Sequence, residues 1–207
     1  MYKVETIVTG VLQENCYIFA DDKSKEAVII DPGDYANIIE KSIESRHYKP
    51  LMIINTHYHF DHIGANSRLK DRYDIPIAIS HKDARDLPDS HKDAINLMIN
   101  CEQSYEADIL LKENDNISVG EYGLVVMETP GHTKGSICLY EKEIKIVFTG
   151  DTLFFESIGR YDLRGGDRGE ILQSIKRLLT LDKKTVVYPG HGKVTTIEHE
   201  LNFNPYV

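Results

Sequence analysis

The stretch that most constrains this chain is Thr56-His57-Tyr58-His59-Phe60-Asp61-His62, which follows the apolar run Leu51-Met52-Ile53-Ile54. That run reads as a buried strand, so three imidazoles and a carboxylate are delivered just past its end. His57 and His59 are two apart, and in extended backbone both leave on one side. Asp61 and His62 are adjacent, point differently, and can serve a second centre. Imidazole nitrogen with carboxylate oxygen is the ligand set of zinc or iron. A polar loop with chance histidines is the bland alternative, and so tight a cluster of ligand-type side chains weighs against it.

Three further corners supply partners. His132 sits in Thr129-Pro130-Gly131-His132-Thr133, Asp151 in Phe148-Thr149-Gly150-Asp151-Thr152, and His191 in Tyr188-Pro189-Gly190-His191-Gly192. Each follows a β-branched or apolar run and is flanked by glycine, which lets backbone turn sharply or approach closely. Four strand-to-loop corners therefore each present candidate ligands.

Between these corners the pattern alternates strands and helices. Residues 2–9, 15–19 and 26–30 read as strands, and a helix follows with Tyr35, Ile38, Ile39 and Ile43 at helical spacing. Asp61 is expected to cap a helix running to about residue 73, with Ile63, Leu69 and Tyr73 inward. Residues 75–79 read as a strand. Residues 81–104 are polar and helix-prone, with Leu97 and Met98 as packing contacts and His81 and His91 as solvated surface histidines. Short apolar runs at 108–111, 116–119, 122–129, 136–140 and 144–149 predict consecutive strands, and 152–167 a glycine-containing loop. Ile171, Leu172, Ile175, Leu178 and Leu179 give the cleanest helical stripe, read as core packing, and Thr185-Val186-Val187-Tyr188 the last strand. Alternation of this kind predicts a layered α/β domain.

Bulk properties narrow the function classes. The 207 residues suffice for one domain with a substantial core, expected over 1–207. With 24 Lys+Arg against 33 Asp+Glu the formal charge is −9, which argues against generic nucleic-acid or anionic-membrane partners. An anionic small-molecule substrate stays compatible, because metal ions reverse the local charge. Cys16, Cys101 and Cys138 form an odd set without CxxC spacing and read as reduced thiols. The amino terminus lacks the apolar run of a signal peptide, and no run approaches the ~18 apolar residues that span a bilayer. The expected location is cytoplasmic.

The HxHxDH stretch, followed by GHT, GD and GHG, resembles the metallo-β-lactamase superfamily over nearly the whole chain. More narrowly, Gly150-Asp151-Thr152-Leu153-Phe154 through Ser157-Ile158-Gly159-Arg160-Tyr161-Asp162-Leu163 is similar to the glyoxalase II-like hydrolases, as is the tail Thr195-Thr196-Ile197-Glu198-His199-Glu200 with Asn204-Pro205. The resemblance implies a four-layer αββα sandwich with metals at one end of two sheets. It assigns His57, His59 and His132 to one metal, Asp61, His62 and His191 to a second, and Asp151 to both. Seven ligands exceed one tetrahedral zinc; two divalent ions are expected, zinc first, with iron or manganese as alternatives. A hydroxide between them would be the nucleophile. A thiolate leaves without protonation at modest cost, since thiol pKa values are about 8.5, so a small acyl thioester is the expected substrate. Catalysis then falls to Asp61 and Asp151, and Arg160 is the expected binder of a substrate carboxylate. Asp31, Asn15 and Lys134 are secondary candidates for the pocket rim, and Tyr58 and Phe60 are expected to pack. The chain ends at Val207, without the basic helical extension of glutathione-specific glyoxalase II proteins, which favours thioester hydrolysis over glutathione specificity. Persulfide dioxygenases share the scaffold and a Gly-Arg-x-Asp segment like Gly159-Arg160-Tyr161-Asp162; they use one iron, at positions corresponding to His57, His132 and Asp151. A lactonase or β-lactamase and a non-enzymatic metal-binding module are the remaining alternatives.

Overall fold

The computed structural model describes residues 1–207. Its strands are β1 (Tyr2–Thr9), β2 (Glu14–Asp21), β3 (Glu26–Ile30), β4 (Lys49–Asn55), β5 (Ile77–Ser80), β6 (Ile109–Leu111), β7 (Asn116–Val119), β8 (Tyr122–Glu128), β9 (Ile137–Glu141), β10 (Ile146–Gly150), β11 (Leu153–Phe154), β12 (Ser157–Ile158), β13 (Val186–Pro189) and β14 (Thr195–Thr196). The helices are α1 (Ala36–Arg46), α2 (Asn66–Tyr73), α3 (His91–Asn96), α4 (Arg168–Leu178) and α5 (Ile197–Phe203). The first sheet runs β1-β2-β3-β4-β5-β6, the second β14-β13-β10-β9-β8-β7, and β11 and β12 form a small hairpin. β3 through β6 are mutually parallel, and β10 is parallel to β13.

The period of two along each central strand decides the layering. Strand side chains alternate between faces, so a strand that is apolar throughout must be covered on both sides. In β2, Cys16, Ile18 and Ala20 face the first helical layer with Ile39, Ile43 and Leu69. Tyr17 and Phe19 face the other way, into a core shared with the second sheet. There Tyr17 meets Phe148 at 5.2 Å between ring centroids and Tyr188 at 5.5 Å. In the second sheet, Phe148 and Leu139 point into this shared core, whereas Val147, Cys138 and Val187 point outward against Ile171, Ile175 and Leu178 of α4. Three cores between four layers make the αββα sandwich that was expected.

Helix ends follow local chemistry. The Asp167 side chain caps α4 by accepting from the Glu170 backbone N–H at 2.8 Å, and Thr196 caps α5 by accepting from His199 at 3.2 Å.

Three local expectations are corrected. Asp61 caps no helix: Phe60–His62 form a single 3-10 turn, and α2 begins at Asn66. The 81–104 stretch is mostly irregular, with only α3 and one 3-10 turn (Leu87–Asp89). Leu97 and Met98 are not packing contacts but stand 59% and 95% exposed. The polar run offers too narrow an apolar stripe to hold a longer helix against the core. No helix is long and apolar enough to cross a membrane.

Candidate metal centre

Every expected ligand sits just past the carboxyl end of a strand. β4 delivers His57, His59, Asp61 and His62, β8 delivers His132, β10 delivers Asp151, and β13 delivers His191. The two sheets are tied together at this end by backbone hydrogen bonds from Ile137 to Thr56 (2.9 Å) and from Asn15 to Gly190 (2.7 Å). Gly150 adopts φ +46°, and a Cβ there would collide with the Thr56 hydroxyl. Only glycine allows that close approach.

Two triads form. The ligand atoms of His57, His59 and His132 lie within 4.8 Å of one another, as do those of Asp61, His62 and His191. His132 Nε2 is 2.8 Å from His59 Nδ1, and His191 Nε2 is 3.2 Å from Asp61 Oδ2. Asp151 lies between the triads: its Oδ2 is 3.5 Å from His132 Nε2 and 3.7 Å from His191 Nε2, and its Oδ1 is 3.3 Å from His62 Nε2.

The far side of four of the five rings meets a neighbour. His132 Nδ1 is 2.7 Å from the Arg160 carbonyl, His191 Nδ1 is 3.2 Å from the Leu12 carbonyl, and His57 Nδ1 is 3.1 Å from Thr56 Oγ1. Asp31 accepts from the Thr56 N–H at 2.7 Å and from its hydroxyl at 2.6 Å, and lies 3.1 Å from His62 Nδ1. These four rings thus turn their other nitrogen toward the cluster, as metal-ligating histidines do, while His59 faces it through Nδ1.

Electrostatics suit a cation. Burial pushes the His57 imidazolium well below its usual range and His59 down to about 3, leaving neutral rings with free lone pairs. Burial opposes ionisation of Asp151, yet charged His62 holds it well below the usual carboxylate range. Burial opposes protonated His62 in turn, and Asp151, Asp61 and Asp31 more than offset it, so the cluster holds a proton there that a divalent ion would displace. Burial likewise opposes ionised Asp61, and His62 and His191 more than offset it. His57 Nε2, His62 Nε2 and Asp151 Oδ1 are buried without hydrogen-bond partners. Orphaned donors and acceptors of this kind are costly, and here they converge on one spot. Nitrogen and carboxylate donors so arranged fit one or two divalent ions.

Of the secondary candidates, Asn15 holds the His191 loop through Pro189 O and Gly192 O, both at 2.9 Å. Lys134 lines a neighbouring depression instead. Arg160 lines the cleft over the cluster, but its guanidinium is held by both oxygens of Asp162 at 2.9 Å. Tyr58 is buried and donates to the Arg164 carbonyl at 3.0 Å; Phe60 lines the cleft. His81 and His91 lie outside the cluster, and all three cysteines are free thiols.

Two buried acids carry no sequence signal. Glu14 is fully buried, accepts from Thr9 at 2.7 Å, and places Oε1 3.8 Å from His62 Nδ1. Asp83 accepts from Thr133 Oγ1 at 2.6 Å and from the Gly135 N–H at 2.7 Å. It therefore ties the turn after β5 to the loop carrying His132.

Residues 9–191 match the family model of the metallo-β-lactamase superfamily. The chain belongs to that superfamily. A protein of Aquifex aeolicus is 39% identical over 98% of this chain and 96% of its own length. The hydroxyacylglutathione hydrolase GloC of Haemophilus influenzae is 32% identical over 99% of this chain and 97% of its own length. Among solved structures, BLEG-1 B3 metallo-beta-lactamase superposes with a TM-score of 0.92 at 37% identity, covering 99% of both chains. TTHA1623 in a di-iron-bound form gives 0.91 at 34% identity, covering 98% of this chain and 100% of that one. The superfamily assignment and the αββα fold agree, since these neighbours share the layered sheets over their whole length.

Proposed function

We propose that this metallo-β-lactamase superfamily member is a hydrolase of acyl thioesters working on a pair of divalent ions, zinc first, with iron or manganese suited to the same donors. The observation that carries this reading is Asp151, set between two complete triads with a carboxylate oxygen toward each. His57, His59 and His132 would hold one ion, Asp61, His62 and His191 the other, and Asp151 both. Bound there, the ions would supply Lewis acidity and lower the pKa of water to roughly 7. The chain's own part is orientation and charge. Neutral His57 and His59 offer lone pairs, ionised Asp61 and Asp151 balance the ions, and Asp31, Thr56 and the Arg160 carbonyl fix ring orientations.

The leaving group selects the substrate. Asp61 and Asp151, the acids of the cleft that belong to the cluster, would be committed to the ions, so an amine would find no dedicated proton donor among the cluster residues. A thiolate leaves unprotonated, since thiol pKa values are about 8.5. The kinship with GloC supports the same choice, and the di-iron form of TTHA1623 supports two ions.

The test joins metal analysis to turnover in one preparation, with thioesters, a lactone and a β-lactam as substrates. Two ions per chain and thioester turnover that chelation abolishes and metal restores are expected. A single iron with oxygen uptake on a persulfide would overturn the proposal in favour of a dioxygenase. Preferred β-lactam cleavage would move the assignment toward the reaction named for BLEG-1.

A further inference from the structure

Resting on the thioester reading, we infer that the substrate is an acyl thioester bearing an uncharged, apolar chain, held by a greasy wall beside the metal cluster and not by ionic contacts. The cleft above His59, Asp61, His132, Asp151 and His191 has a volume of about 630 Å³. The apolar part of its remaining wall is Leu12, Phe60, Leu97, Phe154, Ile158 and Leu163. Leu12, Leu97 and Leu163 are 45%, 59% and 37% exposed. A soluble surface gains nothing by turning three leucines into one cleft unless something apolar covers them.

The charges of the cleft point the same way. Its cations are Arg160 and Arg164, and neither is free. Asp162 grips Arg160 through both oxygens at 2.9 Å, and Asp86 holds Arg164 Nη2 at 2.8 Å. No lysine lines the cleft, and Asp93 adds a further negative charge opposite. The carboxylates of a thiol moiety such as glutathione would meet only arginines already paired with Asp162 and Asp86. An alkyl or acyl chain needs neither arginine. Its carbonyl can lie over the cluster while the chain runs along Phe154, Ile158 and Leu163.

The inference is tested on metal-loaded full-length protein with a straight-chain acyl series, acetyl to octanoyl, on N-acetylcysteamine, and with the same acyl groups on glutathione. kcat/KM should climb by about fourfold per added methylene, with the gain in KM, and glutathione should confer no advantage over N-acetylcysteamine. Leu97→Asp and Leu163→Asp, both at exposed positions that leave the cores intact, should flatten the series. Octanoate binding measured by calorimetry should show a negative heat-capacity change that Leu97→Asp diminishes. A series flat in chain length, or a strong preference for the glutathione thioesters, overturns this inference and leaves thioester hydrolysis standing. Metal-loaded protein inert toward every thioester overturns both.

Discussion

Replacing Asp83 separates the charge of a buried carboxylate from its capacity to accept hydrogen bonds. Burial raises its pKa from an ordinary 3.8 to about 6, against the Thr133 and Gly135 hydrogen bonds that favour the anion. At 1.36 kcal/mol per unit, a rise of roughly 2 units means that ionised Asp83 costs the native state about 3 kcal/mol at neutral pH. The sign follows from linkage. A group whose folded pKa lies above its unfolded value contributes stability that is complete below pH 3.8 and is lost as pH rises through about 6. Asparagine is isosteric and uncharged. Its carbonyl can still accept from Gly135, and its amide can donate to Thr133 Oγ1, whose hydroxyl can turn toward Ser136 Oγ, 2.8 Å away. Alanine would strand the donors of Thr133 and Gly135, at ~1–3 kcal/mol for each buried one. Urea unfolding of the metal-free protein from pH 4 to pH 7 should therefore show wild type losing about 2 kcal/mol relative to Asp83→Asn, and Asp83→Ala less stable than both at pH 7. Parallel wild-type and Asp83→Asn profiles would refute the raised pKa. Equal damage from asparagine and alanine at pH 7 would show that the charge, not the acceptor geometry, joins the loops.

Asp31→Ala should strand the Thr56 N–H at a cost of ~1–3 kcal/mol and weaken metal affinity by ~10–100-fold, read by competition against a coloured chelator. Gly150→Ala should cost ~1–2 kcal/mol for its left-handed backbone alone, more where the new methyl meets Thr56, with metal affinity falling alongside in the same titration. Phe148→Ala, which opens a void among Tyr17, Phe19 and Tyr188, should cost ~3–5 kcal/mol in denaturant unfolding.

Much of this architecture was legible in the sequence because it rests on local periodicity. β2, β3, β4 and β10 are continuous apolar runs, and the stripe from Ile171 to Leu178 found its helix. The seven side chains of the cluster were legible for a different reason: each lies at a strand end within two residues of a glycine or another ligand. Asp83 was not, because nothing in Ser80-His81-Lys82-Asp83 distinguishes a buried acceptor from a surface acid; its role exists only where two distant loops meet. Glu14 was hidden in the same way. Leu97 was misread because an apolar residue in a polar segment has two destinations, a core or a cleft, and spacing cannot separate them. Arg160 was found as a cleft residue, yet its engagement by Asp162 two positions on depends on loop conformation and not on composition.

The division of the cluster between the sheets has a mechanical consequence. One sheet holds His57, His59, Asp61 and His62; the other holds His132, Asp151 and His191. An ion gripped by both would act as a rivet through the sandwich, and its binding free energy would add directly to the resistance of the layers to sliding apart. The bargain is reciprocal: whatever loosens the aromatic seam of Tyr17, Phe148 and Tyr188 would also loosen the hold on the ion. Without the ion, such a protein would lose that clamp, and its layers would part at a lower denaturant concentration.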